Sequence, residues 1–121
     1  MSGNDKARIL IVEDDPLIGI DLAVELEAHG FAVIGIAPTV AKAMSLFRQH
    51  GCDVAVLDVN LGRETSAEIA STLAMAQIPF VAVTGYSIDQ CPMEFARVPL
   101  LSKPFQTPLL VAELKRQLLP N

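Results

Sequence analysis

Asp58 closes the run Asp53-Val54-Ala55-Val56-Leu57-Asp58, in which four apolar residues lie between two acids. Such a stretch predicts a strand buried on both faces of a parallel sheet. A carboxylate at its end stands where open α/β sheets carry their chemistry, just beyond the carboxyl ends of the strands. Turn formation is the plainer use of an aspartate after a strand, so Asp58 alone decides little. Other strand ends add to it. Ile9-Leu10-Ile11-Val12 runs into Glu13-Asp14-Asp15, Phe80-Val81-Ala82-Val83 into Thr84, and Leu100-Leu101-Ser102 into Lys103. If these runs are parallel strands, one edge gathers several carboxylates, a hydroxyl and an ammonium. Clustered carboxylates repel one another unless a cation sits between them. Hard oxygen donors favour Mg2+, which keeps some of its waters and takes a phosphate oxygen. A carboxylate is also a nucleophile toward phosphorus, giving an aspartyl phosphate. Phosphoryl transfer needs mainly positioning and charge neutralisation, which this set can supply. Each member has an ordinary use as well: loop acids, a β-branched strand residue, a surface lysine. The specificity lies in the combination and its order along the chain.

The elements that must position these groups are legible in turn. Ala7 to Val12 is a first strand. A helix from about Pro16 to His29 follows, with Asp15 as N-cap, Pro16 in the first position and Gly30 as the stop. Ile18, Leu22 and Leu26 should face the sheet. Phe31 to Ile36 is a second strand, and Thr39 caps a helix to about His50 with core residues Val40, Ala43, Met44 and Phe47. Thr65 and Glu68 have capping-box spacing and open a helix burying Ile69 and Leu73. Pro79 to Thr84 and Leu100 to Ser102 are the fourth and fifth strands. Between them, Ile88 to Arg97 is interrupted by Pro92 and shows weak apolar periodicity, so a fourth helix there is short or irregular. Thr107 and Pro108 start a last helix that buries Leu110, Leu114 and Leu118 and ends near Pro120.

Five alternations of strand and helix predict a doubly wound α/β domain with a parallel five-stranded sheet between two helical layers. A chain of 121 residues is one domain's worth, residues 1–121 with a core of about 7–119 and no length for a second. It is 51% hydrophobic but only 5% aromatic, so the core is built mainly from Ala, Val, Leu and Ile. A net charge of −5 without a basic run argues against a nucleic-acid partner. Cys52 and Cys91 lack metal-ligand spacing and suit a reducing cytoplasm. Met1 to Arg8 has no signal-peptide pattern, and no apolar run reaches the roughly eighteen residues of a membrane span.

The chain resembles the receiver domain of two-component response regulators. Ile9 to Pro16 is similar to that family's first strand and acidic pair, Asp58 to its phospho-acceptor, Thr84 to its hydroxyl position, and Lys103-Pro104-Phe105 to its lysine-proline-aromatic signature. The resemblance implies a flavodoxin-like (βα)5 three-layer sandwich with sheet order 2-1-3-4-5. It also implies that Asp58 takes a phosphoryl group from a phosphohistidine of a sensor histidine kinase or histidine phosphotransfer protein. Asp14 would then hold Mg2+ directly and Glu13 through water, with Asp58 and the backbone carbonyl of Asn60 completing the protein ligands. Thr84 and Lys103 would contact the phosphoryl oxygens, and Asp15 is left as the helix cap. The protein would catalyse only its own phosphorylation and dephosphorylation, and act through protein partners in the cytoplasm.

Departures from the family pattern are informative. Leu100 stands where a switching aromatic is common, and Gly62 where proline is frequent, four residues past the acceptor. Thr84-Gly85-Tyr86, after Pro79-Phe80, resembles a variant subfamily of stand-alone receivers. Tyr86 is therefore expected to act as the switch, with residues 86–98 forming a loose segment, poor in buried apolar contacts, that orders on phosphorylation. At about 100° per residue, Leu17, Ile20 and Val24 make a second apolar stripe on the first helix, a candidate partner-docking surface. Other readings are a receiver-like docking module that does not switch, a phosphatase with an aspartyl phosphate intermediate, and a flavin binder. The phosphatase would place its nucleophile after the first strand, and the flavin binder would need a hydroxyl-rich loop in place of Glu13-Asp14-Asp15.

Overall fold

The computed structural model describes residues 6–85 and 90–119. The order is β1 (Arg8–Val12), α1 (Pro16–Ala28), β2 (Ala32–Ala37), α2 (Val40–His50) and β3 (Val54–Asp58). A small hairpin, β4 (Asn60–Leu61) and β5 (Glu64–Thr65), precedes α3 (Ala67–Met75) and β6 (Phe80–Thr84). A 3-10 turn at Met93–Phe95, β7 (Leu100–Ser102) and α4 (Thr107–Gln117) complete the described chain. The main sheet is parallel, in the order β2-β1-β3-β6-β7, which is 2-1-3-4-5 when its own strands alone are counted. Among the described residues no helix is long and apolar enough to cross a membrane.

Side-chain alternation along the strands sorts the core into two layers. Ile9, Ile11, Val54, Val56, Val81 and Val83 pack under α1 and α4, against Leu22, Leu26, Leu110 and Leu114. Leu10, Val12, Ala55, Leu57 and Ala82 face the other way, toward Ala43 and Leu46 of α2 and Ile69 and Leu73 of α3. Where β1 meets β2 the register shifts: Ile9 pairs with Val33 but Leu10 with Gly35, so Ile34 is stepped over.

Asp15 caps α1 by accepting from the Leu17 and Ile18 amides, and Thr39 caps α2 by accepting from the Lys42 amide. Four expectations need correction. The core face of α1 runs through Gly19, Leu22 and Leu26, while Ile18 is 45% exposed. The helix comes so close to β2 that a Cβ on Gly19 would stand 2.8 Å from Ile36, and this turns Ile18 outward. On α2, Leu46 is buried where Met44 and Phe47 are only half-buried; on α4, Val111 is buried and Leu118 half-buried. Thr65 and Glu68 form no capping box, because Thr65 belongs to β5 and Ser66 is the N-cap of α3, without a side-chain cap bond. Of the segment expected to be loose, residues 90–98 are described, and among them Phe95 is the single fully buried side chain, edge-on to Phe80 at 6.2 Å between ring centroids.

Candidate functional site

Strand β1 delivers Glu13 to the carboxyl edge of the sheet, where its amide still donates to the Ala37 carbonyl at 2.9 Å. β3 delivers Asp58, and β6 delivers Thr84, whose carbonyl accepts from the Lys103 amide at 2.8 Å. Glu13, Asp58 and Thr84 are all buried, at 4%, 4% and 1% exposure, whereas Asp14 and Asp15 are exposed. Lys103 follows β7 directly and turns its ammonium inward, 2.7 Å from Asp58 Oδ2 and 3.5 Å from Glu13 Oε1. The Lys103–Pro104 peptide bond is cis.

Glu13, Asp14 and Asp58 each offer a carboxylate oxygen within 4.8 Å of the others. With Asn60, Gly85 and Lys103 they line an open depression of about 510 Å3. Three acids and one ammonium leave uncompensated negative charge there. Burial pushes the Glu13 carboxyl up to about 7; the charge of Asp58 adds to the push, and the Asp15 amide and Lys103 oppose it. Burial works against the Lys103 ammonium, but its hydrogen bond to Asp58 and the charges of Asp58 and Glu13 outweigh that and hold it above its ordinary range. A set of hard oxygens with surplus negative charge suits a divalent cation of the Mg2+ type.

The structure thus brings together Glu13, Asp14, Asp58, Asn60 and Lys103, with Thr84 at the adjoining strand end. Asp15 caps α1 with its side chain, in keeping with the sequence reading, while its amide donates to Glu13 Oε2 at 3.1 Å on the lining of the same depression. Leu17, Ile20 and Val24 lie on the outer face of α1, 74%, 53% and 63% exposed. Tyr86 lies outside the described residues.

The β4–β5 hairpin and Ser66 escaped the sequence reading. Gly62 and Arg63 form its two-residue loop, with Gly62 at φ +77°, the left-handed conformation a II′ turn requires at its first position. Proline cannot adopt that φ, which accounts for glycine at this position. A glycine opening a two-residue gap between Leu61 and Glu64 was the available signal. The Asn60 amide donates to Asp58 Oδ1 at 3.2 Å, and the buried Ser66 hydroxyl donates to the Asp58 carbonyl at 2.7 Å.

Residues 9–115 match the family model for the response regulator receiver domain. The chain belongs to that family. Receiver domains are signalling modules of two-component systems. The chain is 41% identical to SdrG from Sphingomonas melonis, whose solution structure it matches over 98% of this chain and 100% of that one at a TM-score of 0.80. It is 36% identical over 81 residues to the transcriptional regulatory protein PdtaR of Mycobacterium tuberculosis, covering 66% of this chain and 40% of that protein. The chain spans less than half the length of the first curated relatives it matches. The fold is shared with the Thermotoga maritima response regulator TrrA, solved in complex with Mg2+-BeF, at a TM-score of 0.79 and 23% identity over 92% of this chain and 98% of that one.

Proposed function

We propose that this receiver is a phosphorylation switch in which Asp58 accepts a phosphoryl group from a phosphohistidine on a sensor histidine kinase or histidine phosphotransfer protein. The observation that carries this reading is the placement of Asp58. Its buried carboxylate is bonded to Lys103 on one oxygen and to the Asn60 amide on the other, facing Glu13 and Asp14. One Asp58 oxygen forms the new bond to phosphorus while the phosphorus–nitrogen bond of the donor breaks, its electron pair staying on the imidazole. Glu13, Asp14, Asp58 and the Asn60 carbonyl would hold Mg2+, which supplies charge neutralisation to the transferring group. The Lys103 ammonium and the Thr84 hydroxyl steady the oxygens of the phosphoryl group as it passes to Asp58.

In this reading the exposed stripe Leu17, Ile20 and Val24 receives the donor protein beside the active edge, and Tyr86 carries the change outward. The protein works in the cytoplasm through protein partners, and transforms no substrate beyond its own acceptor. The match to SdrG along nearly the whole of both chains supports a receiver acting as one domain, 1–121.

The test is incubation with a small phosphodonor and Mg2+ followed by intact-mass measurement. The wild type should gain one phosphoryl group, and Asp58→Asn should gain none while keeping its fold. Phosphorylation persisting in Asp58→Asn would overturn the assignment. With a phosphohistidine protein as donor, Ile20→Glu should slow transfer yet leave the small-donor reaction unchanged; equal loss of both would remove the docking role.

A further inference from the structure

Resting on that reading, we propose that Glu64 is a positioning residue for Asp58: it pins the β4–β5 hairpin to the N-terminus of α2 and so fixes the loop that presents Asn60 to the acceptor.

The two oxygens of Asp58 are held from opposite sides. Oδ2 takes the Lys103 ammonium, and Oδ1 takes the Asn60 amide, the first residue of β4. The aim of the acceptor carboxylate therefore depends on where the hairpin sits. That hairpin is weak by itself. Each strand has two residues, and an isolated two-stranded ribbon is marginal in water at best. Of its residues only Leu61 is buried; Gly62, Arg63, Glu64 and Thr65 are exposed. Its position is set by anchors at its ends and at its tip.

The ends are tied to β3 itself, through the Ser66 hydroxyl on the Asp58 carbonyl and the Ser66 amide on the Val59 carbonyl at 2.9 Å. Together with the Val59 amide on the Val83 carbonyl at 2.9 Å, these bonds fix the base of the hairpin to the sheet, but none of them reaches β5 beyond the turn. Glu64 supplies that anchor. Its Oε2 accepts from the Val40 amide at 3.1 Å, across 24 residues of sequence. Val40 is the first residue of α2, and its amide is among those that no intrahelical carbonyl can satisfy. Thr39 caps the Lys42 amide and leaves Val40 to Glu64. A carboxylate at a helix N-terminus is also favoured by the helix dipole. Glu64 thus connects the acceptor loop to a helix packed against β1 and β2.

Glu64→Ala breaks the contact at an exposed position, so the fold survives. Its phosphorylation by a small donor at saturating Mg2+ should slow about threefold to tenfold, the rate equivalent of one ordinary hydrogen bond. Glu64→Gln retains an acceptor oxygen and should recover most of the rate. The readout that a merely structural role would not move is the Val40 amide resonance. It should shift when beryllofluoride occupies the wild type and stay still in Glu64→Ala. A wild-type rate in Glu64→Ala, equal losses in both variants, or an undiminished Val40 response would each overturn the proposal. A wild type that is not phosphorylated at all would instead strike the underlying reading of Asp58.

Discussion

The two edges of the sheet handle charge in opposite ways. At the amino edge, Arg8 donates its backbone amide to Asp53 Oδ2 at 2.8 Å and its guanidinium to the His50 carbonyl at 2.7 Å. Each polar group there meets its complement near water. At the carboxyl edge, Glu13 and Asp58 are buried side by side with Asp14 close by, and among the described residues Lys103 is the one ammonium bonded to them. The amino edge closes the fold, whereas the carboxyl edge holds a charge imbalance that the bare protein does not resolve. A difference of that kind separates a structural contact from a cluster whose donor set suits a divalent cation.

Mg2+ should expose the contrast most strongly. A ligand held only by the native state stabilises it by about 2.7 kcal/mol at roughly 100 times its Kd, read as a rise in Tm. Glu13→Gln should weaken that response, while Arg8→Ala should leave it intact. An unchanged Tm at saturating Mg2+ would erase the distinction between the edges.

Acid provides a second handle. The Glu13 carboxyl is raised in the folded state from 4.5 to about 7. Its contribution to stability is therefore complete below its unfolded value and is lost as pH rises through about 7. Without Mg2+, Glu13 should withdraw on the order of 3 kcal/mol between those limits, measured by denaturant titration against Glu13→Gln. Because the metal displaces the proton, Mg2+ affinity should rise over the same window. The smallest effect belongs to the amino edge. Arg8→Ala should cost about 1 kcal/mol, with or without Mg2+.

Legibility in the sequence followed the strength of local patterning. The five strands of the main sheet and the caps Asp15 and Thr39 are announced by apolar runs and by side chains whose partners lie within one turn. Glu13, Asp14, Asp58, Thr84 and Lys103 could be gathered because a parallel sheet sends all its strand ends to one edge. What escaped depends on distance or on absence. Ile18 looked like a core residue because periodicity counts apolar side chains, whereas α1 approaches β2 through Gly19, which has none. Strands of two residues are too short to show alternation, so β4 and β5 were silent. Ser66 spends its hydroxyl on Asp58, eight residues back, rather than on its own helix. Phe95 anchors its segment through Phe80, a partner that the weak periodicity around Pro92 could not indicate.

The shifted register between β1 and β2 bears on how copies of this molecule meet. β2 is an edge strand whose whole sequence, Ala32-Val33-Ile34-Gly35-Ile36-Ala37, is apolar. A flat edge of that composition is a template for pairing with a second chain. Stepping over Ile34 kinks the strand and breaks the regular row of donors and acceptors that a neighbouring strand would need. The opposite edge, β7, is three residues long and gives way at once to Lys103 and Pro104. Both margins of the sheet are therefore poor templates for the edge strand of another sheet.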